Sequence, residues 1–457
     1  MQNGFLGLDI GTTSIKALVV DHVGQVIFSS NRPLELLTPQ PAWAEQDPDG
    51  WWEAVQNILH SIPKTIKVQR IGLSGQMHTL VPIERDGRPI RNAILWCDQR
   101  TSAECALATK NLGGERQVIE LIGNPIYPGF TLPKLLWMRQ NEQKNFKRIK
   151  TALIAKDYIA YKLTGSIGTD PSDAAGSAMY DVVNKVWSGQ LLEKLGLDPS
   201  ILPPVTPSHA ARGLLRTELA KSLGWDRVEV ASGGADNAVS ALGLGVFAPG
   251  DCMISIGTSG TVLGPTNNNV PDQSGRLHFF NHTVEGVSYY MGVMLAASAC
   301  LNWFKDKLNT SLTYDQIQEK AEKAPIGANG LLWLPYLQGE RTPHRDSNAR
   351  GVLFGVSTMT DEAQIFRAVM EGITFGLRDC FELLKYITKI DRVLVVGGGA
   401  KSRLWREMLA TNIKLPVIMP AIDEGGAYGA AMLAAIGTGL DVATVGQWQK
   451  TASVTDP

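Results

Sequence analysis

Apolar and polar positions alternate like strands at the start of the chain, and the same pattern returns near its middle. Phe5, Leu6, Leu8 and Ile10 form one apolar run, and Ile15, Ala17 and Val19 alternate behind it. This spacing predicts an antiparallel meander over residues 5–10, 14–20 and 26–30, turning at Asp21-His22-Val23-Gly24. Asp47-Pro48 then opens a helix through Trp51, Trp52 and Val55, since Asp caps well and Pro suits the first helical position. Short strands are expected at 70–73 and 93–96, followed by a mostly helical middle. A strand at 227–231 runs into Gly233-Gly234-Ala235-Asp236-Asn237 and an Ala/Gly-rich helix to Gly245.

Ala248-Pro249-Gly250 is a natural boundary, so the expected domains are 1–246 and 247–457. After it come strands to about Val293 and then helices. A strand at 392–396 leads into Gly397-Gly398-Gly399, and a last Ala-rich helix precedes a polar tail. Residues 286–304 carry no charge and are about long enough to span a bilayer. The stretch reads better as a strand at 287–293 and a buried helix start at 295–304, because Tyr289-Tyr290, Ser298 and Asn302 interrupt it.

Composition narrows the class. With 457 residues, two cores are expected. Charged residues make up 19% and the net charge is -1, which gives no electrostatic case for nucleic acid or an anionic membrane. The five Cys show no metal-ligand spacing, which reads as reduced thiols in a cytoplasmic protein. No basic segment precedes the first apolar run, so no signal peptide is expected.

The chemistry starts from a loop written twice: Asp9-Ile10-Gly11-Thr12-Thr13 and Ser255-Ile256-Gly257-Thr258-Ser259. A Gly-Thr turn between strands offers backbone N–H groups and hydroxyls suited to phosphate oxygens. One copy has a carboxylate where the other has Ser. No Gly-x4-Gly-Lys-Ser/Thr loop is present, and Gly397-Gly398-Gly399 lacks the dinucleotide spacing. A loop leading into a strand, not a helix, argues against both of those designs.

Longer segments carry a resemblance. Gly129-Phe130-Thr131-Leu132-Pro133-Lys134-Leu135-Leu136-Trp137-Met138 is similar to one signature of the FGGY carbohydrate kinases. Gly351-Val352-Leu353-Phe354-Gly355-Val356, with Gln364 to Glu371 beyond it, resembles the second. Pro335-Tyr336-Leu337-Gln338-Gly339-Glu340-Arg341-Thr342-Pro343 is a further family-like segment, and the resemblance runs from Phe5 to about Ala435. It implies an α/β fold of two duplicated actin-like ATPase (ribonuclease H-like) domains with a cleft between them. It also implies ATP and Mg²⁺, a small-molecule sugar as partner, and a homodimer as an option.

Within the family, Gly75-Gln76-Met77-His78 and Gly234-Ala235-Asp236-Asn237 look most like the kinases of D-xylulose, which make D-xylulose 5-phosphate. Glycerol kinases would carry Arg-Glu at the Met77-His78 position. Gluconate kinases share Met-His but need a cation for the carboxylate, for which the substrate loops offer only His78 and Arg100. Ribulose and polyols stay open as substrates, and so does an actin-like ATPase without sugar kinase activity.

The resemblance assigns roles, each beside a plainer one. Asp236 is the candidate general base, or a helix N-cap whose ionised form the helix dipole favours. Asp9 is a candidate Mg²⁺ residue, or an Asx turn residue. Thr12, Thr13, Lys16, Gly257 and Thr258 are candidate phosphate contacts, although Lys16 also reads as a surface strand residue. Gly398, Gly399, Ala400 and Arg403 match an adenosine turn, or a tight strand–helix connection. Asn302 is a candidate adenine contact or a helix-face cap. Gln76, Met77, His78, Trp96 and Asn237 join Asp236 as candidate sugar ligands, with core packing as the plainer reading of Trp96.

Overall fold

The computed structural model describes residues 2–308 and 310–457, and it builds the repeated pattern into two seven-stranded sheets. In the first, Gln2–Ile10 pairs antiparallel with Ser14–Val20 and parallel with Ile66–Gly75. In the second, Gly250–Ile256 pairs antiparallel with Gly260–Thr266 and parallel with Ile390–Val396. The two hairpins close alike: Gly11 N donates to Ser14 O at 3.1 Å and Gly257 N to Ser259 O at 3.0 Å. Duplication in sequence is thus duplication in topology, as expected of two actin-like domains.

Alternation decides what each face of the first sheet meets. Leu6, Leu8 and Ile10 pack with Trp51, Val55 and Ile58 of the helix Pro48–Ser61. Asp47 caps that helix by accepting from Asp49 N at 3.0 Å, as its sequence predicts. Phe5 faces the other way and meets Ala427, Tyr428 and Ala431.

Those last residues belong to the helix Gly426–Ile436, which comes from the far end of the chain yet lies on the first sheet. Glycine permits the approach. A Cβ on Gly7 would overlap Ala427 O, one on Gly72 would overlap Ala430 O, and one on Gly429 would overlap Val239 O. Helix backbone therefore touches sheet backbone and the helix Asp236–Gly243 directly. A division of the chain at 246/247 follows the sheets but not this helix.

The uncharged stretch 286–304 is split as expected, with shifted ends. Ser288–Met294 is a strand buried along its whole length, and the helix begins only at Ser298. The delay has a cause: Ala297 N donates to Thr258 O at 2.9 Å and Ser298 N to Gly257 O at 3.0 Å, so this turn braces the second Gly-Thr loop. Among the described residues no helix is long and apolar enough to cross a membrane. The polar tail forms an edge strand, Thr451–Thr455, paired antiparallel with Val417–Pro420. Its pairing is by backbone, which residue polarity does not report.

Candidate active site

The first Gly-Thr hairpin sits in a web of side chains. Thr12 Oγ1 accepts from Trp96 Nε1 at 2.9 Å and donates to Gln76 Oε1 at 3.3 Å. Gln76 Nε2 reaches Gln46 Oε1 at 3.0 Å and Gly11 O at 3.4 Å. Gln76 is buried with its amide fully committed, so it shapes the Gly11–Thr12 turn from below. That differs from its reading as a sugar ligand with free polar groups. Trp96 is 40% exposed, which removes the plainer reading of it as core and leaves its indole face at the mouth of the loop. Thr13 is exposed at the turn, while Lys16 forms an ion pair with Glu424.

Asp9 lies on the face of its strand that meets the closing helix. Burial raises its proton affinity, opposed by the nearby Ser74 hydroxyl and by the charge of Lys16. Its Oδ1 is buried without a protein partner. A Cβ on Gly426 would stand 2.7 Å from that oxygen, so only glycine lets the first turn of Gly426–Ile436 come up to Asp9. A buried carboxylate oxygen without a partner fits a site that completes its coordination with a hydrated cation.

Asp236 is the first residue of the helix Asp236–Gly243, with Ala235 as its N-cap. Its Oδ1 accepts from Asn237 N at 2.8 Å and Asn237 Nδ2 at 3.1 Å. Burial, with the charge of Asp9 behind it, pushes the carboxyl up to about 7. The expectation that the helix dipole would favour its ionised form is therefore outweighed: desolvation is the larger effect here. Asn237 Nδ2 also lies 3.6 Å from Met77 Sδ, which joins the loop of His78 to the loop of Asp236.

His78 adopts the left-handed conformation, with φ of 66°. Its Nδ1 is 2.5 Å from Gly176 O, and its ring stacks on Phe130 at 4.4 Å between centroids. Burial pushes it down to about 3, so it is neutral at pH 7. Arg100 is also committed: it binds Asp98 and Glu45 at 2.7 Å and lies 3.6 Å over the Trp43 ring. Neither of the two cations the sequence offers to a carboxylate substrate is free. Arg341, which the sequence reading did not single out, stands 5.0 Å over the Tyr127 ring, and its charge reaches His78 and His278.

A cleft of about 700 Å³ opens on the second domain, lined by Gly257, Thr258, Asn302, Gly398 and Gly399. These five candidates come together as expected. Ala400 and Arg403 do not join them: Ala400 is buried behind the turn, and Arg403 points outward to Glu407 at 3.5 Å. Lys401, Ser402 and Trp405 line the cleft in their place, with Thr313, Tyr314 and Gln318 opposite. Tyr314 Oη donates to Asn302 Oδ1 at 2.5 Å. The opposite wall is an ordinary amphipathic helix, Tyr314–Lys323, and carries no motif for sequence reading to find. Asp423 Oδ2 accepts from Gly397 N at 3.0 Å, so the segment that ends against Asp9 also holds the glycine turn.

Gly398 gives a clean test of the cleft, since no atom lies within 4 Å of where its Cβ would stand. Gly398→Leu is expected to raise KM for ATP about tenfold by filling the space, with kcat and the unfolding midpoint little changed. An unaltered KM would place the nucleotide elsewhere.

Residues 5–243 match the FGGY family of carbohydrate kinases, N-terminal domain, and residues 252–438 match its C-terminal domain. A xylulose kinase of Staphylococcus xylosus is 40% identical over 437 residues, covering 94% of this chain and 90% of that protein. The solved structure of a ligand-bound xylulose kinase from Lactobacillus acidophilus superposes with a TM-score of 0.94 at 29% identity, covering 100% of this chain and 94% of that one. A gluconate kinase structure from the same organism gives a TM-score of 0.94 at 28% identity with the same coverage. Backbone shape alone therefore does not separate the two sugars.

Proposed function

The chain belongs to the FGGY family of carbohydrate kinases, and from that premise we propose that it phosphorylates D-xylulose with ATP to give D-xylulose 5-phosphate. It is an ATP-using sugar kinase. The observation that carries the assignment of its centre is the place of Asp236 at the start of the helix Asp236–Gly243, its carboxylate held by Asn237, whose amide reaches Met77. The two carboxylates are near enough for Asp9 to raise the proton affinity of Asp236.

In this reading Asp236 accepts the proton of the sugar's terminal hydroxyl as the γ-phosphoryl group transfers to that oxygen. A base held near 7 is matched to that task at neutral pH. Asn237 and Met77 orient the carboxylate. Gly11 to Thr13 and Gly257-Thr258 hold the phosphates from either side, with Lys16 at the first loop. Asp9 would hold Mg²⁺ through its unpartnered oxygen, and the ion, when bound, neutralises phosphate charge. Closure of the two domains excludes water, the competing acceptor. Five unbridged cysteines support a cytoplasmic setting.

The neutral sugar is favoured because His78 is uncharged and Arg100 is bound to Asp98 and Glu45. Gluconate is the second reading, and Arg341 is what favours it: its guanidinium stands 5.0 Å over the Tyr127 ring and its charge reaches His78. ADP release measured over D-xylulose, D-ribulose, polyols and gluconate separates them. D-xylulose is expected to exceed every other acceptor in kcat/KM by about tenfold or more. Turnover with gluconate alone would overturn the xylulose assignment.

A further inference from the structure

Behind the base lies a charge cluster with no access to solvent. Lys156, Asp157, Asp170 and Asp173 are all buried. Lys156 Nζ stands 2.6 Å from Asp157 Oδ1, 3.0 Å from Asp170 Oδ1 and 3.1 Å from Asp173 Oδ2. Buried ions are poor stabilisers compared with apolar side chains of similar size, so such a cluster calls for another reason.

Its place in the fold supplies one. The Lys156 stem runs between Gly75 and Gly233: a Cβ on Gly75 would lie 3.1 Å from Lys156 Cβ, and one on Gly233 would lie 3.0 Å from Lys156 Cδ. Those two glycines lead into the two loops that carry His78 and Asp236. On the far side, Asp170 Oδ2 accepts from Ser172 Oγ at 2.6 Å and Ser208 Oγ at 2.7 Å. Ser172 Oγ in turn accepts from Ala235 N at 2.9 Å.

The direction of these bonds is fixed by chemistry. An ionised carboxylate only accepts, so the Ser172 hydroxyl must give its proton to Asp170. That turns its lone pairs toward Ala235 N, the cap of the helix that begins with Asp236. We propose that Ser172, oriented by the Lys156–Asp170 ion pair, is a positioning residue that aims Asp236 at the acceptor hydroxyl. The inference rests on the reading of Asp236 as the base. Ser172 is buried and stands outside the nucleotide cleft.

The test compares Ser172→Ala with Asp236→Asn, measuring kcat with sugar, nucleotide affinity and the unfolding midpoint. Ser172→Ala is expected to lower kcat about tenfold, as a small misplacement of a reacting group does, with ATP affinity unchanged. A purely structural Ser172 would lower the midpoint and leave kcat of the folded enzyme intact, and that result overturns the proposal. Where the alanine variant does not fold, Ser172→Cys is measured, since it keeps the shape and weakens the acceptor. A reduced kcat at unchanged ATP affinity supports the proposal, and a full kcat overturns it. Full activity in Asp236→Asn would instead remove the base itself, so the two failures are distinguishable.

Discussion

Asp236→Asn is expected to lower kcat by about three orders of magnitude while nucleotide affinity stays within about twofold. The amide keeps the size and one acceptor of the carboxylate, so Asn237 N retains its bond, but no proton can be taken from the sugar. Turnover of the unaltered enzyme is expected to fall as pH drops below about 7, where Asp236 takes up its proton. Stability should move the other way. The folded carboxyl binds its proton more tightly than the unfolded one, so its favourable contribution is complete below the ordinary Asp value and is lost as pH rises through about 7. The Asn variant escapes that loss, and its advantage in unfolding midpoint should grow between pH 5 and pH 8, pHs chosen to bracket the shifted value. A variant that is both active and no more stable at pH 8 would show that Asp236 is an ordinary first-turn carboxylate with no part in the reaction.

Gly72→Ala is expected to destabilise the protein by about 3 kcal/mol or more in urea unfolding, a large effect for one methyl group. The added carbon would overlap the Ala430 carbonyl oxygen, and backbone cannot rotate away as a side chain does. The helix Gly426–Ile436 must then lift from the sheet, and its first turn is the part that presses on Asp9. Activity should therefore fall with stability. An unfolding midpoint close to that of the unaltered protein would mean that the close approach of helix and sheet is not as described.

Much of this was legible in the chain because it is local or repeated. The two hairpins announce themselves by period-two alternation, and the difference of Asp9 against Ser255 locates the unusual carboxylate. The Asp47-Pro48 cap and the loop before Asp236 are equally local. What escaped the sequence depends on partners far away. Gln76 looks like a ligand until Gln46 and Thr12 occupy its amide. Trp96 could be read as a ligand or as core, since it follows two apolar residues, and only its partner Thr12 brings its ring out to the mouth of the loop. Arg403 sits in the right motif but on the outward side of its helix, where Glu407 is one turn away. Lys156 looks like one more surface lysine, and nothing nearby reveals that Asp170 and Asp173 will enclose it.

The helix Gly426–Ile436 also bears on how the protein is made. Translation proceeds from the amino end, and the first sheet leaves the ribosome roughly 190 residues before this helix does. At typical elongation rates that is an interval on the order of ten seconds or more. Through that interval Gly7 and Gly72 lie on a sheet face without its cover, open to water or to a chaperone. One face of the first domain's sheet is covered only by a helix from the far end of the chain. That cover waits for nearly the whole polypeptide, so Asp9 gains its neighbour Gly426 only when the second half has been synthesised.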